Sequence, residues 1–143
     1  MFYKKYYKRS CSGGVMAEAA LIIPILLGVI FFIIEFGNVM YLGNVVTQIA
    51  RTAARYASVT VSFTNQDLIN ASNASKLLPD VSKLTLTIIP APGAQRSVGT
   101  TITVTAQYNY TPVINPFKPF NSSQPWAPVL NKTSVTRSEV SSG

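Results

Sequence analysis

Histidine is absent from this chain, cysteine occurs once, and acidic residues number five among 143. Each scarcity removes a class of chemistry. Without histidine the commonest general base and metal ligand at neutral pH is missing. The acids of the C-terminal part, Asp67, Asp80 and Glu139, are scattered, with neither metal-ligand spacing nor the pairing of a nucleophile with a base. No catalytic residue, metal or cofactor is therefore expected, and the chain reads as a non-enzyme without a small-molecule substrate. The single thiol, Cys11, cannot close an internal disulfide. Because it precedes the long apolar segment, it does not fit a lipoprotein anchor either.

Charge is sparse but unevenly placed. Twelve basic residues give a net charge of +7, yet Lys4, Lys5, Lys8 and Arg9 lie in the first nine positions. The positive-inside rule accounts for these as a cytoplasmic anchor. Without them eight basic residues face five acidic ones, too small an excess to indicate nucleic acid as a partner.

The basic leader ends at Gly13 and Gly14, and an uncharged apolar run from Ala19 to Ile34 follows Glu18. About 20 residues at ~1.5 Å each cross ~30 Å of hydrocarbon, so this run predicts a membrane span. It is longer than a signal-peptide core, and the helical pattern continues through Gln48, Arg51 and Arg55 with no turn signal. One helix from about Val15 to Ser58 is expected, with Pro24 as a kink that lipid-embedded helices tolerate. Beyond Glu35 and Phe36, placed at the outer membrane interface, Val39, Leu42, Val46, Ile49, Ala50 and Ala53 recur at helical spacing. That stripe should carry a folded domain, while Arg51 and Arg55, one turn apart, face solvent or lipid headgroups.

Thr64-x-x-Asp67 offers a helix start, with the helix running to Leu78 before Pro79. Lys83 to Ile89 and Thr100 to Tyr110 alternate apolar and polar residues and read as two strands, joined across a loop rich in turn residues. Thr111 to Pro128, crowded with prolines and containing Phe117, Phe120 and Trp126, reads as an extended loop. Lys132 to Val140 supplies a third strand.

Glu18 at the edge of the apolar run needs a partner, because an unpaired carboxylate entering hydrocarbon costs several kcal/mol. Cleavage after Gly13 would create one, the new α-amino group. The set formed by Gly13, Glu18, Pro24, the IIEFG at Ile33 to Gly37 and the QIARTAARYA at Gln48 to Ala57 resembles the prepilins and pseudopilins of the type IV filament superfamily. Within them it is most similar to the TadE-like family of tight-adherence (Flp) pilus systems. It departs from the usual pattern at Ala19, where an aromatic commonly follows the glutamate.

The resemblance implies cleavage by a prepilin peptidase between Gly13 and Gly14, with a cut one residue later as the alternative. It implies a minor pilin or pseudopilin with pilin subunits and the pilus assembly machinery as partners. The expected architecture is α+β: a basic cytoplasmic leader (1–13), a transmembrane and juxtamembrane helix (14–58), and an extracytoplasmic domain with an antiparallel sheet, pilin-like in plan (59–143). The expected location is the bacterial inner membrane, single-pass with the C-terminal domain outside, and from there an extracellular pilus. An uncleaved, membrane-anchored envelope adaptor is the rival reading.

Overall fold

The computed structural model describes residues 12–113 and 127–141. Residues 1–11 of the basic leader, Cys11 among them, and the aromatics Phe117, Phe120 and Trp126 lie outside the described residues. The architecture is α+β, a long N-terminal apolar helix followed by a small antiparallel sheet. Helix α1, Ser12–Val59, has 48 residues and is ~72 Å long at 1.5 Å per residue. It runs on through Pro24 and begins one residue before the glycine pair. Two short helices follow, α2 (Asn65–Ala71) and α3 (Ala74–Leu77). The strands are β1 (Leu84–Ile89), β2 (Thr101–Asn109) and β3 (Val129–Arg137), in the sheet order β1-β2-β3.

The alternation seen in the sequence decides the sheet. Leu84, Leu86 and Ile88 of β1 and Ile102, Val104, Ala106 and Tyr108 of β2 point inward, while the threonines between them face out. Both ladders are antiparallel, with Leu86 opposite Ala106 and Ala106 opposite Lys132. The inner face packs on α1, whose buried stripe runs from Leu42 through Val45, Val46, Ile49, Ala50, Ala53 and Ala54 to Ala57. Four residues of that stripe, Ala50, Ala53, Ala54 and Ala57, are alanines. Leu68, Ala74 and Leu78 close the side of the core.

Two local details depart from expectation. The helix predicted from Asn65 to Leu78 is broken, because Asn73 adopts a left-handed conformation (φ 52°) between α2 and α3. Asparagine tolerates that region better than most residues. Strand β3 starts at Val129, three residues before the predicted Lys132, because its ladder follows β2 down to Asn109. The capping box at Thr64 is present: its hydroxyl accepts from the Asp67 backbone while the Asp67 carboxylate accepts from the Thr64 N–H. After β1, Ala91 to Ala94 form a turn closed by a 3.1 Å backbone bond. Pro92 and Gly93 occupy its centre, and the φ of +83° at Gly93 suits glycine at that position.

Candidate functional site along the long helix

The candidate site is α1 itself, divided by environment. In its first half every large apolar side chain from Val15 to Phe36 is exposed, as are Met40 and Tyr41. Among the described residues this is the one helix long and apolar enough to cross a membrane. It carries the features of a single-pass membrane protein. Phe32 and Phe36, four apart, stack with ring centroids 6.3 Å apart on this surface. Gly13, Gly14, Glu18 and Pro24 all lie on the exposed first half, and a Cβ added at either glycine would meet nothing within 4 Å.

Glu35 stands apart from its surroundings. It is 2% exposed, whereas its neighbours Ile34 and Phe36 are open. The Tyr110 hydroxyl donates to its Oε1, and the Val113 backbone N–H donates to the same oxygen at 3.2 Å. The carboxylate therefore ties the end of β2 to the helix at the point where the domain begins. Burial, followed by the hydrogen bond to Glu35 and the Glu35 charge, pushes the Tyr110 phenol up to about 12. Burial also raises the Tyr108 phenol, with a smaller contribution from the charge of Asp80. The sequence reading placed Glu35 and Phe36 together at an interface. The structure separates them: Phe36 points outward, and Glu35 is held beneath Tyr110. The missed signal was the acid itself, because a carboxylate within an apolar helix calls for a named partner.

A second anchor sits at the other end of the helix. The last turn of α1 holds no basic residue, and the final carbonyls of any helix lack intrahelical donors. Arg96, from the β1–β2 loop, supplies a donor to one of them and holds the two carbonyls of the chain just past the helix end. Its guanidinium donates to the carbonyls of Ala57 (3.0 Å), Thr60 (3.1 Å) and Val61 (2.8 Å), and lies 4.8 Å from the Phe63 ring centroid. The Glu139 N–H reaches the Ser58 carbonyl at 2.8 Å. A cation here also complements the helix dipole. Arg51 and Arg55, singled out from the sequence, are exposed on the face of α1 opposite the sheet. The structure thus brings Glu35 into a built contact and leaves Gly13, Gly14, Glu18, Pro24, Phe36, Arg51 and Arg55 on open helix surface.

A family model described as TadE-like protein matches residues 13–55. No curated protein and no solved structure matches the chain. The matched segment coincides with α1 nearly end to end and stops short of the sheet. It agrees with the resemblance drawn from the sequence.

Proposed function

We propose that the chain is a minor pilin or pseudopilin of a tight-adherence pilus, cleaved by a prepilin peptidase between Gly13 and Gly14. The observation that carries this reading is the TadE-like segment lying on a helix whose first half has no cover and whose second half is built into a domain. In the proposed arrangement the leader (1–13) lies in the cytoplasm and residues 14–58 form the membrane and juxtamembrane helix. Residues 59–143 complete the domain outside the inner membrane.

The mechanism follows from what the uncovered half requires. Each large apolar side chain withdrawn from lipid into water costs about 1.5–3 kcal/mol, so lifting the whole first half out of the bilayer costs tens of kcal/mol unless neighbouring helices rebury it. Such a subunit therefore needs partner pilins and an energy-supplying assembly machine. Cleavage after Gly13 would put a new α-amine on Gly14, four residues before Glu18. Residues four apart share a helical face, so the carboxylate can offset that charge in its own chain or in a neighbouring one. The glycine pair weakens the first turn by about 1 kcal/mol per residue relative to alanine, which favours local opening where the peptidase must bind.

Mass spectrometry of the N-terminus of protein extracted from its native membrane tests the reading. A start at Gly14, lost in a Gly13→Val variant and in a host without prepilin peptidase, is the expected result. An intact leader on a functional protein would overturn processing and leave the fixed envelope adaptor.

A further inference from the structure

An open cavity lies where α1 enters the domain. It holds about 510 Å³ between Asn38, Tyr41 and Leu42 of the helix, the α3–β1 connection and the end of β2. Its helix-side residues continue directly from the uncovered apolar surface, which ends at Met40 and Tyr41. On the reading that α1 is membrane-embedded up to this level, the cavity opens at the headgroup layer of the outer face.

Its lining combines two chemistries. Leu42, Leu77, Leu78 and the Tyr108 ring form an apolar wall, and Lys76 and Lys83 stand at the cavity with Asp80 between them in sequence. Asp80 is already committed. Its Oδ1 accepts from the backbone and hydroxyl of Ser82 at 3.0 and 2.6 Å, and its Oδ2 lies 3.6 Å from Lys83 Nζ. Those serine hydrogen bonds hold its carboxyl below the usual range, so it stays ionised. Lys83 is fixed further by donating to Thr111 Oγ1 at 2.9 Å. Lys76 has no ion-pair partner among the described residues. The cavity lining therefore holds one ammonium without an ion-pair partner among the described residues and one positioned by Asp80 and Thr111, together with an apolar wall.

We infer that this cavity binds the phosphate headgroup of an anionic phospholipid, with Lys76 and Lys83 on the phosphate and the apolar wall against the glycerol and first acyl carbons. A headgroup with net negative charge matches the excess cation, and an attached acyl chain matches the continuity with the uncovered helix. A lipid held here fixes the depth at which the domain rides on the bilayer. The inference rests on the membrane reading of α1 and not on cleavage of the leader.

The test uses the full chain in nanodiscs of phosphatidylethanolamine with a titrated fraction of phosphatidylglycerol, with retained lipid counted by native mass spectrometry after release. Insertion is verified separately by vesicle flotation. The expected result is one retained phosphatidylglycerol per chain, bound at least tenfold more weakly by Lys76→Gln/Lys83→Gln and restored by Lys76→Arg/Lys83→Arg, with flotation and thermal unfolding unchanged in both. Retention of no lipid by a chain that floats, equal retention by the glutamine variant, or equal binding of soluble glycerol phosphate would overturn the lipid site while leaving the membrane helix standing. A chain that fails to float would overturn both.

Discussion

The two halves of α1 share a backbone and differ in pattern. From Val15 to Phe36 the large apolar side chains occur on all sides of the helix and none of them is covered. From Leu42 to Ala57 they are confined to one stripe, which the sheet covers, while Asn44, Gln48, Arg51 and Arg55 face outward. A helix apolar all round requires an apolar solvent, and one with a single stripe requires a partner surface. The change from one regime to the other begins at Glu35, which the structure marks with a buried carboxylate, and is complete by Leu42. The lesson is that one helix can belong to two solvents when its side-chain periodicity changes partway along it.

The strongest way to break this comparison is to place the same substitution in each half. Ile49→Asp puts a charge into a position with no exposure and should cost more than about 4 kcal/mol, enough to abolish cooperative unfolding of the domain. Ile30→Asp should leave that transition unchanged within about 0.5 kcal/mol while weakening membrane insertion by about 3 kcal/mol. Denaturation followed by circular dichroism reads the first, and flotation reads the second. Equal effects on the domain would mean that the halves are not distinct.

Arg96 sharpens the comparison at the far end of the helix. Arg96→Ala leaves the carbonyls of Ala57, Thr60 and Val61 without the donors they use and should destabilise the domain by about 3 kcal/mol in urea unfolding. The uncovered half of the helix should be unaffected.

At the boundary, Glu35→Ala should cost about 2 kcal/mol and Tyr110→Phe about 1 kcal/mol. The double variant should fall short of their sum, because the two side chains share one hydrogen bond. Hydrogen exchange should show the Val113 amide losing protection in Glu35→Ala. The Tyr110 phenol gives the same contact a pH signature. Its folded pKa, pushed up to about 12, lies above the value near 10 expected of an unfolded chain. The contribution is thus complete below about pH 10 and is lost as pH rises towards 12. Tyr110→Phe should flatten that part of the alkaline stability profile.

The smallest effect belongs to the cap of α2. Thr64→Ala should cost about 1 kcal/mol, read as a fall in thermal midpoint with no change in membrane behaviour. Hydrogen bonds from Thr64 hold the Asp67 carboxyl below its usual value. The cap's contribution is therefore present above about pH 4 and is lost as pH falls through that lowered value.

Much of this was legible in the sequence because local periodicity reports the solvent each face meets. The stripe from Leu42 to Ala53 and the alternation in β1 and β2 led directly to the helix, the sheet and the face each buries. What periodicity could not supply were contacts between distant residues. Tyr110 lies far along the chain from Glu35, and nothing local to either names the other. Arg96 sat in a segment whose prolines and glycines identified a loop but not what the loop reached. Its role becomes legible only when the last turn of α1 is seen to lack a cap of its own. The break at Asn73 turned on one residue's tolerance of positive φ, which a search for helical spacing passes over. The start of β3 was set by its ladder with β2 and not by its own alternation.

Cysteine scanning along α1 in native membranes tests the central division most directly, and the single native thiol makes Cys11→Ser a clean background. Single cysteines placed at Ile22, Leu26, Ile30 and Ile33, and then at Asn44, Gln48, Arg51 and Arg55, would be treated with a membrane-impermeant maleimide added from outside the cytoplasmic membrane. The account predicts protection throughout the first set and rapid labelling throughout the second, with the change falling between Ile34 and Asn44. Uniform labelling along the helix, or protection that extends through Arg55, would contradict it.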